Sequence, residues 1–195
     1  AFKKTETADY SVAVTAGIDR NGDIYIVDIM RGKYDFPELK QRLIRLNNRW
    51  RGKGLRAMYI EDKASGQSIL QELKRESGMS VIPYKVVNDK VARVNAILPL
   101  IEGGRVFLPQ SSPWLDSFVD ETVTFPNGNH DDQVDALSIT LDVLSRTHVS
   151  IDSFSLHGDV AQSLNNSDNH EASFGKSLRL HVNKAMPKWT GWGAL

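Results

Sequence analysis

Apolar residues alternate with small or polar ones from Ser11 to Gly17 (SVAVTAG) and again from Ile24 to Met30 (IYIVDIM). A period of two predicts strands. Between them lies Asp19-Arg20-Asn21-Gly22. Asn-Gly favours a tight reversal, so the two strands are expected to form an antiparallel hairpin. The period then changes. Leu39, Leu43, Leu46 and Trp50 recur at helical spacing after Pro37. Pro37 can open that helix, Asp35 can cap it, and Gly52 and Gly54 end it. A short apolar strand from Ala57 to Asp62 (AMYIED) finishes in two acids. A helix from Ser65 follows through Ile69, Leu70 and Leu73, stopped by Gly78. Val81 to Val87 reads as a strand. Asp89 can cap a third helix with Val91, Val94, Ile97 and Leu98 on its inner face. Arg105 to Leu108 reads as a short extended edge, and Trp114 to Thr122 as a helix. Asn129 can cap the last strong helix, Asp131 to Arg146, with Val134, Leu137, Leu141 and Leu144 along one face.

A hairpin followed by alternating strands and helices predicts an α/β fold. Its sheet is mixed, an antiparallel hairpin plus parallel βαβ strands, with helices on both faces. After Arg146 the texture changes, and Ser163 to Gly175 (SLNNSDNHEASFG) is polar and weakly periodic, as a linker is. The expected organisation is one domain over 1–146 and a partly flexible C-terminal tail over 147–195. A length of 195 residues fits one domain with a tail.

Charge narrows the function. Lys+Arg and Asp+Glu both number 24, so the formal net charge is zero. That excludes a broadly basic, histone-like nucleic-acid binder but leaves room for a local basic patch. The absence of Cys excludes disulfides, thiol catalysis and Cys-based zinc sites. No apolar run is long enough to span a bilayer and no signal peptide opens the sequence, so a cytoplasmic protein is expected. The sequence begins at Ala1, not Met, and reads as a piece of a longer protein.

The sharpest chemical signal is Asn129-His130-Asp131-Asp132-Gln133-Val134-Asp135. On a helix, Asp131, Asp132 and Asp135 project from neighbouring positions, where like charges repel. A divalent cation would offset that repulsion; acids at a helix N-terminus also simply favour the macrodipole, which explains Asp131 and Asp132 better than Asp135. The second signal is Glu61-Asp62 at a strand's carboxyl end, where α/β proteins gather their chemistry, although strands also end in polar residues for solubility. Carboxylates suit Mg²⁺ or Mn²⁺. His130 is a candidate general base or metal ligand, or a surface histidine. Asp9 precedes the first strand and can approach the same site or merely end a loop. Nine cations stand between Arg31 and Arg56, a pattern usual for a solvated helix face. Lys90 and Arg93 at a helix start are better placed to meet phosphates. The only Gly-Lys-Ser, at Gly175 to Ser177, has His170 where a P-loop needs glycine.

Three segments carry a family resemblance: IEDKASGQSILQEL from Ile60, NDKVARVNAILPLIEGGRVFLP from Asn88, and TVTFPNGNHDDQVDALSITLDVL from Thr122. In this order they resemble the C-terminal nuclease domain of large terminase subunits, the DNA-packaging motors of tailed bacteriophages and prophages. The resemblance covers about residues 1 to 146. It implies an RNase H-like fold and a metal-dependent endonuclease that cuts concatemeric double-stranded DNA in the host cytoplasm. It puts the central-strand acid on Glu61 and the final acidic motif on Asp131 and Asp132, with Asp135 as a further acid. It puts two Mg²⁺ or Mn²⁺ ions among Glu61, Asp132 and another acid, with Asp131 and Asp135 as further ligands or their neighbours. The family's first catalytic aspartate falls upstream of Ala1, so the chain from Ala1 is expected on its own to cleave DNA poorly or not at all, and Asp9 matches a less central acid. Implied partners are an ATPase domain upstream in the same polypeptide, the portal, the small terminase subunit and DNA, whose phosphates Lys90 and Arg93 are expected to meet. A resolvase- or transposase-type nuclease and a non-catalytic docking module of the packaging motor are the alternatives.

Overall fold

The computed structural model describes residues 10–75 and 79–155. Asp9, Gly78, the polar stretch from Ser163 to Gly175 and the rest of the tail beyond Ser155 lie outside the described residues. Five strands and five helices run in the order β1 (Ser11–Ile18), β2 (Ile24–Gly32), α1 (Phe36–Arg51), β3 (Met58–Glu61), α2 (Ala64–Arg75), β4 (Val81–Tyr84), α3 (Lys90–Glu102), β5 (Val106–Phe107), α4 (Leu115–Thr124) and α5 (Asp132–Ser155). The chain divides into two compact units. Among the described residues one holds Gly32–Asp89 with residues 10–11, and the other holds Val12–Arg31 and the chain from Lys90 onward.

The second unit contains a three-stranded sheet of order β1-β2-β5. β1 and β2 are neighbours joined by five residues, a connection that only antiparallel strands allow. The turn forms as the sequence predicts. The Asp19 carboxylate accepts hydrogen bonds from the Asn21 and Asp23 amides, both at 2.9 Å. Gly22 sits at φ 79°, a conformation glycine adopts without strain. β5 pairs with β2 in parallel, Ile24 opposite Val106 and Tyr25 opposite Phe107, so the sheet is mixed. The Tyr25 and Phe107 rings stack across that pair with centroids 5.0 Å apart. Behind the sheet, Ile24, Ile26, Ile29, Ile97, Leu108, Phe118, Leu137 and Leu141 form one buried cluster. Each large apolar side chain buried there stabilises by about 1.5–3 kcal/mol.

The first unit is a βαβ unit with one helix added. β3 and β4 pair in parallel from Met58 opposite Val81 to Glu61 opposite Tyr84, with α2 as the crossover. Asp35 caps α1, its carboxylate accepting from the Glu38 amide at 2.9 Å. Leu43, Ile69, Leu70, Leu73 and Val81 are buried. Gly66 lets the first turn of α2 close on the end of β3, since a Cβ there would meet the Glu61 carbonyl oxygen at 2.2 Å.

Three boundaries and one helix face differ from the sequence reading. β4 stops at Tyr84, not Val87, because its partner β3 ends at Glu61. Val91 is 49% exposed rather than inward, since the first turn of α3 turns Lys90 and Arg93, not apolar residues, toward α5. The last helix begins at Asp132, and the Asp131 carbonyl accepts the first helical bond, from Asp135 at 2.9 Å. Asp131 therefore takes the capping position expected of Asn129. The same helix continues past Arg146 to Ser155. Among the described residues no helix is long and apolar enough to cross a membrane.

Candidate functional site

Two helix starts in the second unit meet. α3 packs on α5, and Val94 of α3 is buried with Phe125 and with Val134 of α5. Lys90 and Arg93 are three apart, so they leave α3 on the same side; Asp131 and Asp135 are four apart and do likewise. Lys90 Nζ lies 2.6 Å from Asp131 Oδ2 and 2.8 Å from Asp135 Oδ2. Arg93 Nη2 donates to Asp135 Oδ1. Each oxygen of the Asp135 carboxylate thus receives one cation.

Burial grades this cluster. The Arg93 side chain is only 10% exposed, Asp135 21%, Lys90 31% and Asp131 46%. Burial alone lowers the pKa of Lys90, but hydrogen bonds and charge from Asp131 and Asp135 outweigh it and raise the pKa above the ordinary 10.5. The repulsion foreseen among the acids is offset within the chain, by Lys90 and Arg93. Arg93 Nε and Nη1 are buried without hydrogen-bond partners, so Asp135 is the polar anchor of this guanidinium.

A second carboxylate fixes the start of α5 from beneath. Glu121 of α4 is 6% exposed. Its Oε1 accepts from the Gln133 amide at 2.6 Å, and its Oε2 from Gln133 Nε2 at 2.7 Å. Arg31, from the end of β2, places Nη2 3.1 Å from Oε2. A negative charge satisfying an N-terminal amide favours the helix at that end. Sequence reading passed over Glu121. The signal was there: Trp114, Phe118 and Glu121 follow one helical face, so an acid occupies an apolar position.

Glu61 closes β3 in the other unit. Lys63 Nζ forms an ion pair with its Oε1 at 2.8 Å, and that buried oxygen accepts no hydrogen bond. Asp62, just past the strand, accepts from Gln67 Nε2 at 3.4 Å. His130 is exposed. Asp132 opens α5 beside the paired acids and is partly buried. Of the residues singled out in the sequence, the fold brings together Asp131, Asp135, Lys90 and Arg93.

A strand-end acid, a run of acids opening a long helix and a mixed sheet form a pattern that comparison with known families places. The profile of the terminase RNaseH-like domain matches residues 1–142. The chain belongs to that family. No curated protein and no solved structure matches it. The matched span of this terminase RNaseH-like domain runs through both acid-bearing elements and ends inside α5.

Such a domain implies a divalent cation. Glu61, with one buried oxygen lacking a hydrogen bond, has the hard-oxygen chemistry that Mg²⁺ or Mn²⁺ takes, and so does Asp132. Asp135 fits such an ion less well, since each of its oxygens already meets a cation, whereas Glu61 and Asp131 each meet one lysine. Among the described residues no group of three or more His, Asp or Glu side chains is disposed to hold a metal ion.

Proposed function

We propose that this terminase RNaseH-like domain is a metal-dependent endonuclease that cuts concatemeric double-stranded DNA during viral genome packaging. The observation that carries the reading is the family match over residues 1–142, which includes Glu61 and the Asp131–Asp135 motif. Glu61 and Asp132 are the proposed ligands of Mg²⁺ or Mn²⁺, two ions in all, with Asp131 and Asp135 as nearby carboxylates. Divalent ions supply Lewis acidity and an activated water at a phosphodiester. The chain's own residues do the positioning. Lys90 and Arg93 hold Asp131 and Asp135 in one orientation, and Glu121 fixes the amide of Gln133, so the start of α5 is ordered in advance. The proposed partners are double-stranded DNA, an ATPase domain of the same polypeptide, the portal and the small terminase subunit. The proposed setting is the host cytoplasm.

Nicking of supercoiled plasmid in Mn²⁺ by the polypeptide that also carries the proposed ATPase domain tests this, with the thermal midpoint as a second readout. Cleavage is expected to vanish in EDTA and to fall about 100-fold or more in Glu61→Gln and in Asp132→Asn. Mn²⁺ is expected to raise the midpoint, because it binds the native state, and to raise it less in Asp132→Asn. Cleavage that survives EDTA would overturn the reading. Neither cleavage nor a midpoint shift in Mn²⁺ would support a non-catalytic docking module instead. The neutralisation of Asp131 and Asp135 within the chain is the observation that favours that second reading.

A further inference from the structure

No acid occurs between Glu38 and Glu61, while seven Lys and Arg side chains do. Lys40 and Arg42 lie against acids of α2 and α1. Lys40 pairs with Glu72 at 3.0 Å, and Arg42 with Glu38 at 3.0 Å. The remaining five, Arg45, Arg49, Arg51, Lys53 and Arg56, are all exposed, and they crowd the C-terminal end of α1 and the loop that follows.

A helix dipole favours cations in the last turn. That accounts for Arg49 and Arg51. It does not account for Arg45, a full turn earlier, or for Lys53 and Arg56, beyond the helix. Trp50 organises the group: the Arg49 guanidinium lies 5.4 Å and the Lys53 ammonium 4.9 Å from its ring centroid. Cations held against one aromatic ring lose less freedom on meeting an anion. None of the large exposed hydrophobic residues lies between Arg45 and Arg56, the first beyond them being Tyr59 on β3, so the cluster itself lacks the apolar centre of a protein–protein interface. Four of the five are arginines, whose forked donors match phosphate oxygens.

We propose that this basic end of α1 is a surface for the phosphate backbone of duplex DNA, read without regard to sequence. The inference rests on the nuclease reading above, and it moves the DNA contact from Lys90 and Arg93 to α1. Lys90 and Arg93 are already engaged by Asp131 and Asp135. Arg45, Arg51 and Lys53 are exposed and lie in a stretch of sequence that holds no acid.

The test is binding of the full chain to a random-sequence 30-base-pair duplex in EDTA, across a salt series, so that no cleavage intervenes. Three proteins are compared with the parent: Arg45→Ala/Arg51→Ala/Lys53→Ala, the charge-keeping Arg45→Lys/Arg51→Lys/Lys53→Arg, and Lys90→Ala/Arg93→Ala. Three lost phosphate contacts flatten the log–log salt slope by about 2.7. Between 50 and 200 mM salt the alanine triple is therefore expected to lose about 40-fold less affinity than the parent. The charge-keeping triple is expected to follow the parent. An alanine triple with the parent's slope would overturn the proposal, as would a parent that binds no duplex at 50 mM salt. If Lys90→Ala/Arg93→Ala alone flattens the slope, the α1 surface is wrong while the nuclease reading stands, because plasmid nicking is scored separately.

Discussion

Two basic regions of this chain look alike on paper and behave differently in the fold. At the start of α3, Lys90 and Arg93 are drawn against Asp131 and Asp135, and Arg93 is nine-tenths buried. At the end of α1, Arg45, Arg51 and Lys53 are exposed, and the nearest acids in sequence are Glu38 and Glu61. The first region spends its charge inside the protein and the second turns it outward. A cation's neighbours in space, not its neighbours in sequence, decide which it is. Lys90 and Arg93 are about 40 residues from their partners in the chain, and only the packing of α3 on α5 joins them.

That contrast can be broken by stability measurements. The largest effect is expected beneath the acid motif. Glu121→Ala removes the Arg31 ion pair and uncaps the Gln133 amide, and is expected to cost about 3 kcal/mol in urea unfolding. Next comes Arg93→Ala, which removes a mostly buried hydrogen bond between charged groups and is expected to cost about 2 kcal/mol. Lys90 is expected to contribute less, and with a distinctive pH dependence. Its pKa is raised on folding, so its contribution is complete below 10.5 and is lost as pH rises through the higher native value. Lys90→Met is expected to remove that alkaline loss. The smallest effect is expected at α1, where Arg45→Ala and Arg51→Ala are each expected to shift stability by less than about 0.5 kcal/mol. Costs of similar size at both basic regions would erase the distinction.

Much of the scaffold was legible because it follows local rules. Asp35 before Pro37 marked the cap of α1, and Asn21-Gly22 marked the hairpin turn. Val134, Leu137 and Leu141 marked the inner face of α5, and all three are buried. The acid motif was legible as chemistry for the same reason, since Asp131 and Asp135 share a helical face. Its counter-charges were not. A helical period places Lys90 and Arg93 on one side of α3 but does not say that α5 lies there. Glu121 was hidden for a related cause: its role depends on an amide twelve residues later in another helix. The shift of the cap from Asn129 to Asp131 belongs to the same class, because the anchor at Gln133 settles where α5 starts. Asp9 lies outside the described residues.

The claim that Lys90 and Arg93 serve the acid motif from within is tested most directly by a double-mutant cycle between Arg93 and Asp135. Urea unfolding of the parent, Arg93→Ala, Asp135→Ala and the pair would be measured in EDTA, so that no divalent ion takes part. The account predicts a coupling of about 1.5–3 kcal/mol, with the double variant little worse than the weaker single. Costs that add to within about 0.5 kcal/mol would show the two side chains to be independent and would contradict it.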